Sequence, residues 1–307
     1  MQSFRKFLTA VMVMSSFTSI AVAQPVGSEY PSLAGRTVLI TGSTDGLGRE
    51  TALRLGALGA HVLVHGRNAE RGAEVVEEIN SGAGSAQFYA ADLGSLADVR
   101  ELAAAVREDH EQLHLLINNA GIGSGFADGA RQTSADGYEM IFQVNYLSHY
   151  LLTDLLLPLL ETSAPAQVIN VASGAQRSVN FDDIMMERSF DSNAAYSQSK
   201  LAQILHTFHL ATRYDAAELT FNTLHPATMM DTTLVRQMSS PARTTVDEGA
   251  TALVNLAASP ALIGRTGLYF NGLREARASS QAYDAAARQR LDTLSRELTG
   301  LPPETPL

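Results

Sequence analysis

The sequence predicts a single α/β domain, a doubly wound parallel sheet with helices on both faces. Three observations carry that prediction. From Arg36 onward, short β-branched apolar runs alternate with longer stretches of helical periodicity. Each crossover between such strands must be right-handed and must cover the sheet, so strict alternation implies parallel strands between two helical layers. A glycine-rich turn marks the first strand-to-helix junction, and 307 residues suffice for one large domain.

In chain order, strands are read at 37–40, 61–65, 86–90, 113–117, 167–171, 219–224 and 267–270. The first, Thr37-Val38-Leu39-Ile40, is a continuous apolar run, the pattern of a strand buried on both faces. Helices are read at 46–58, 69–80, 95–109, 134–160, 194–214 and 246–258. Gly59 is a suitable stop for the first, and Pro158 is expected to interrupt the fourth. The domain is read as 33–300, and the tail 301–307, with three prolines, is expected to lie loose on the surface.

Composition excludes several classes. Acidic residues outnumber basic ones by 32 to 22, and the net charge of -10 repels nucleic acid with no basic block to offset it. The absence of cysteine removes disulfides, thiolate metal sites and cysteine nucleophiles. Among the 22 basic residues only Lys6 and Lys200 are lysines, so a chain that otherwise uses arginine keeps one lysine beyond its N-terminus. The histidines His65, His114, His149 and His225 lack metal-ligand spacing and are read as packing or hydrogen-bonding residues, so no metal is expected.

The first strand runs into Thr41-Gly42-Ser43-Thr44-Asp45-Gly46-Leu47-Gly48, and a helix follows. Glycines allow a tight turn and close backbone approach to a pyrophosphate, and the helix N-terminus adds free N–H groups and partial positive charge. At the first β–α junction of an alternating chain this is a Rossmann-type nucleotide site. The second strand ends in Gly66-Arg67-Asn68, where an NAD site carries a carboxylate for the ribose 2′-OH. Arg67 is a positive fork suited to a 2′-phosphate, and Gly66 leaves room beside it, so NADP(H) is preferred over NAD(H).

Tyr196 and Lys200 stand four residues apart at the start of a helical stretch and project from one face. A phenol titrates near pH 10, and a nearby ammonium is expected to lower that value toward neutrality. The sole lysine outside the N-terminal segment thus falls where a compact cation serves proton transfer.

With these motifs in order, the chain resembles the short-chain dehydrogenase/reductase family from about Leu33 to about residue 300. Asp92-Leu93 is similar to the family's pair beside the adenine, and Asn118-Asn119-Ala120-Gly121 to the stretch that lines the cofactor. Asn145, Ser173, Tyr196 and Lys200 match the catalytic set. The resemblance implies that Tyr196 exchanges the proton and Ser173 bonds the substrate oxygen. It also implies that Lys200 tunes Tyr196 and bonds the nicotinamide ribose, while Asn145 holds a water in a proton relay. The family's Pro-Gly after the sixth strand is replaced here by Pro226-Ala227, and both Thr228 and Thr232 are candidates for the cofactor-contacting threonine. The long interval after Ser173, with Phe181-Asp182-Asp183-Ile184, is similar to the retinol-dehydrogenase-like branch, which implies lipophilic alcohols and carbonyls as substrates.

The reading is therefore an oxidoreductase acting on a small carbonyl or alcohol, with a homo-oligomer open as an assembly state. Two alternatives remain, a non-catalytic NADP(H)-sensing regulator and a nucleotide-sugar epimerase or dehydratase. Residues 1–24 read as a signal-peptide-like leader: Arg5 and Lys6, an uncharged apolar run, then Ala21-Val22-Ala23 before Gln24. Cleavage implies an exported, periplasmic or secreted protein; an uncleaved leader implies a cytoplasmic or membrane-anchored one. Mature protein recovered from its native cell should begin near Gln24, and mass spectrometry finding an intact Met1 would reject the cleavage.

Overall fold

The computed structural model describes residues 30–237 and 241–303, so the leader lies outside the described residues. Among them, one eight-stranded sheet carries β1 (Thr37–Ile40), β2 (His61–Gly66), β3 (Ser85–Ala90) and β4 (Leu115–Asn118). It continues with β5 (Ala166–Val171), β6 (Leu219–His225), β7 (Leu268–Asn271) and β8 (Arg274–Ala276). The spatial order is β3-β2-β1-β4-β5-β6-β7-β8, parallel throughout except for the β7–β8 hairpin. The predicted single-domain doubly wound Rossmann-type sheet is the fold observed.

Strand alternation builds the two layers. Val38 and Ile40 face a core shared with α1 (Gly46–Ala57), α2 (Ala69–Asn80) and α8 (Val246–Ala258). Leu39, between them, faces the opposite core with α3 (Leu96–Asp109) and α5 (Ser148–Thr162), as the two-residue period of a strand requires. Val62 and Val64 against Leu63 repeat the pattern, each of these side chains fully buried and worth about 1.5–3 kcal/mol. Helices start where a short polar side chain accepts from the first turn: Asp45, Asn68, Ser95 and Thr245 cap α1, α2, α3 and α8. Asp191 does the same for α6 (Ser192–Ala211).

Two helical readings change. The stretch read as one helix over 134–160 becomes helical only at α4 (Met140–Phe142), continues through a π-helical turn at Gln143–Leu147, and then enters α5. Upstream, Gly137 takes a φ of +85° in a turn closed by the Thr133–Glu139 bridge, and the Glu139 carboxylate caps α4. Pro158 does not interrupt α5, which runs on to Thr162; Pro158 is exposed, while Leu156 and Leu160 anchor the opposite side in the core.

The sequence reading contained neither β8, α7 (Thr233–Gln237) nor α9 (Ala285–Thr299). Asp284 caps α9, and Gly300 ends it with a φ of +64° while the Leu301 N–H donates to the Arg296 carbonyl. Leu301 packs against the core, and the tail beyond residue 303 lies outside the described residues. The buried face of α9 is largely polar. The Tyr150 hydroxyl donates to Asp292 Oδ1 at 2.7 Å, and Tyr146 and Ser295 share a hydrogen bond of 2.7 Å. Arg296 reaches Asp154 Oδ1 at 2.9 Å. Asp292→Ala would remove the carboxylate that accepts from the buried Tyr150 hydroxyl, so urea denaturation should register a loss of about 1–3 kcal/mol. An unchanged midpoint would mean that apolar packing alone seats α9.

Candidate active site

The site forms where the strand order reverses, at the carboxyl ends of β1 and β4, the crevice in which open α/β sheets hold their ligands. Gly42 leaves β1 with a φ of +65°, and a Cβ there would stand 2.9 Å from the Ala120 Cα. At Gly48 a Cβ would meet the Gly42 carbonyl at 2.2 Å, so this turn closes only with glycine. Asp45 caps α1 through Gly46 N at 2.8 Å and accepts from the Thr233 hydroxyl at 2.7 Å. No acidic residue sits in the first turn of α1 beyond that cap. This cradle of Gly42, Ser43, Thr44, Asp45, Gly46, Leu47 and Gly48 at a helix N-terminus fits a dinucleotide pyrophosphate.

Asn119 fastens the cradle from the β4 side, its Nδ2 donating to the carbonyls of Thr41 at 2.8 Å and Gly42 at 3.2 Å. Thr41, which the sequence places in the glycine-rich loop without a role of its own, is the joint. Its Oγ1 accepts from Asn119 N at 2.9 Å and Ala120 N at 3.0 Å and lies 2.9 Å from His149 Nε2. His149 Nδ1 lies 3.0 Å from the Asn145 carbonyl, which can only accept, so Nδ1 carries the proton and the Thr41 hydroxyl donates to Nε2. Burial holds His149 neutral, its pKa pulled down to about 3. No local signal marked this joint, because Thr41 and His149 are 108 positions apart and meet only in the fold.

Toward the adenosine side, Arg67 is 69% exposed and lies 3.8 Å from Asp92 Oδ2, which joins two sequence-predicted residues from adjacent strand ends. Asp92 Oδ1 turns back onto Gly94 N, and the Leu93 carbonyl accepts from Ser148 Oγ at 2.6 Å. The room expected over Gly66 is already taken: a Cβ there would stand 2.7 Å from the Thr44 side chain. Arg71, in the first turn of α2, lies 3.8 Å from Asp45 and adds a second cation that the sequence reading omitted.

Ser173 follows β5; its hydroxyl accepts from Ala175 N at 3.1 Å and lies close enough to the Tyr196 phenol to lower its pKa. Lys200 Nζ stands 5.9 Å from the Tyr196 ring centre and donates to the Val171 carbonyl at 2.8 Å and Gln203 Oε1 at 3.0 Å. Asn145 occupies the π-helical turn, a local widening that recurs at functional positions. Its side chain clasps Ile122, accepting from N at 2.8 Å and donating to O at 3.1 Å. It also donates to Ser199 Oγ at 3.0 Å, and Ser199 donates to the Tyr196 carbonyl at 2.8 Å. A Cβ on Gly121 would stand 3.1 Å from Asn145 Oδ1 and 3.6 Å from Lys200 Nζ, so both polar groups flank that glycine.

The expected lowering of the Tyr196 pKa by Lys200 is not what these side chains produce. Burial pushes the phenol above its ordinary value, and the Ser173 hydrogen bond pulls it only part of the way back. Burial likewise brings Lys200 down to about 7. Desolvation outweighs mutual attraction because the lysine is held by neutral acceptors at a distance from the phenol.

The two candidate threonines separate. Thr232 lies 3.3 Å from where a Gly46 Cβ would stand, over the glycine loop. Thr228, two residues past Pro226, hydrogen-bonds His225 Nε2 at 2.9 Å, and His225 packs beside Gly174 next to Ser173.

The short chain dehydrogenase profile matches residues 36–243, which hold every one of these groups. The chain belongs to the short-chain dehydrogenase family. It is 36% identical over 305 residues to retinol dehydrogenase 14 of Homo sapiens, covering 90% of this chain and 89% of that protein. An uncharacterized protein from Mycobacterium paratuberculosis superposes with a TM-score of 0.75 at 30% identity, covering 92% of this chain and 98% of that one. The RhlG/NADP complex of Pseudomonas aeruginosa gives 0.65 at 30% identity over 81% of this chain and 97% of its own. Within the family the chain is retinol-dehydrogenase-like, an NAD(P)-dependent oxidoreductase acting on CH–OH groups. The regulator and epimerase readings give way to it. Among the described residues no helix is long and apolar enough to cross a membrane.

Thr41→Val keeps the shape of the joint and removes its hydroxyl. The half-buried N–H groups of Asn119 and Ala120 and the buried His149 Nε2 then lose their partner, so thermal or urea unfolding should show a loss of about 1–3 kcal/mol and cofactor binding should weaken. Wild-type stability in that variant would show that the loops hold each other without Thr41.

Proposed function

We propose that the chain interconverts lipophilic carbonyls and alcohols with NADP(H), using Tyr196 as general acid and base. The observation that carries this is the Tyr196–Ser173 pair set against an apolar wall: Ile122, Ile141, Met186 and Phe190 cluster with Tyr196. A bound nicotinamide supplies or accepts the hydride. Tyr196 gives its proton to the substrate oxygen in reduction and recovers it in oxidation. Ser173 donates to the same oxygen and fixes where it sits. Its raised pKa keeps Tyr196 protonated at neutral pH, so carbonyl reduction loses rate as pH rises through that pKa. Lys200 and Asn145 flank Gly121, an arrangement suited to holding a nicotinamide ribose and passing a proton toward solvent. The retinol dehydrogenase relative supports a lipophilic substrate, and Arg67 supports a 2′-phosphate.

Tyr196→Phe should cut turnover about 10²- to 10⁴-fold while NADPH binding, read by fluorescence, stays near wild type. Near-normal kcat would overturn the assignment. NADPH should bind about tenfold more tightly than NADH, the discount from a buried pair reflecting the exposure of Arg67. Arg67→Ala should erase that difference by weakening NADPH alone. Equal affinities in the starting protein would make Arg67 an ordinary surface arginine.

A further inference from the structure

Ser173 stands just past the end of β5, whose ladder with β6 closes at the Val171–Leu224 pair. The last main-chain bond before it runs from Ala172 N to the Leu224 carbonyl at 2.9 Å. Strand pairing therefore stops short of Ser173, and two side chains take over. The Ser173 carbonyl accepts from the Tyr269 hydroxyl at 3.2 Å and from Gln176 Nε2 at 3.1 Å. Gln176 is itself fixed, because its Oε1 accepts from Ser279 N at 2.6 Å. Tyr269 lies on β7 and is 4% exposed, in one buried cluster with Ala172, Val179 and Ala282, and its hydroxyl lies beside Gln176 as well as the Ser173 carbonyl. Holding the carbonyl of residue 173 holds its peptide plane, and with it the direction of the Cα–Cβ bond that aims Oγ at Tyr196.

We propose that Tyr269 and Gln176 are positioning residues for Ser173, through which the segment from β7 to Ser279 sets the geometry of the reacting oxygen. Tyr269 and Ser279 lie outside the 36–243 stretch matched by the family profile, so this brace comes from the chain's own C-terminal part. The inference rests on the role given to Ser173 above. It assigns no contact with substrate to either residue.

Tyr269→Phe keeps the ring and removes only the hydroxyl; Gln176→Leu keeps the bulk and removes the amide. Each should lower kcat about fivefold, and the pair together about thirtyfold, with NADPH affinity unchanged. A second readout separates positioning from general loosening. The Ser173 hydrogen bond holds the Tyr196 pKa below what burial alone would give, so a displaced Ser173 lets that pKa rise. The alkaline limb of carbonyl reduction should then move to higher pH in the double variant, in the same direction as in Ser173→Ala. Full kcat in Ser173→Ala would overturn the reading of Ser173 and this inference with it. A loss in Ser173→Ala beside wild-type kcat in the double variant, or a kcat loss with an unmoved limb, would overturn the positioning role alone.

Discussion

The Thr41 hydroxyl joins the two halves of the sheet at the place where their order reverses. It accepts from the loop after β4 and donates to His149 on α5, whose other nitrogen donates to the Asn145 carbonyl. One buried group thus couples the glycine loop, the stretch Asn119-Ala120 and the π-helical turn. A shift of any one would strand a buried donor or acceptor, at a cost of about 1–3 kcal/mol for each. The crevice keeps its shape because its walls share these hydrogen bonds.

On the other wall, burial governs the titrating groups. The Tyr196 phenol is pushed up and Lys200 down to about 7, so both lean toward their neutral forms while the site is at rest. Negative charge growing on a substrate oxygen would favour the ammonium again, since a nearby opposite charge raises a lysine pKa. No carboxylate moves either pKa, and the acceptors on Lys200 are a carbonyl and an amide.

The C-terminal part does more than cover the sheet. β7 extends the parallel order and puts Tyr269 behind Ser173, while α9 lays a polar face across α5 and α6. Hydrogen bonds from Tyr150 to Asp292 and from Arg296 to Asp154 fix that face beside the apolar contacts of Leu291. Uniquely directed bonds of this kind register one helix against two others, where an apolar seam would tolerate sliding.

Local pattern made much of this legible. Runs such as Val38-Leu39-Ile40 announce strands because both faces are buried, and Gly42 and Gly48 announce a turn because backbone fills the space of a side chain. The start of α4 was hidden, since Gly137 and the Glu139 cap act through a turn that apolar periodicity ignores. α9 was hidden because its buried positions include Asp292, Ser295 and Thr299, polar residues that read as surface until Tyr150 and Tyr146 are seen opposite them. By itself the sequence determined the alternating sheet; the proposed dinucleotide cradle and the Tyr196–Lys200 pair were legible from residue type at short spacing, and Ser173 from the family resemblance. Only the tertiary structure decided the Thr41 joint, the direction of the Tyr196 and Lys200 shifts and the brace on Ser173. These depend on burial and on partners such as Val171–Lys200, Ser173–Tyr269 and Thr41–His149, which are 29, 96 and 108 positions apart, distances that no local pattern encodes.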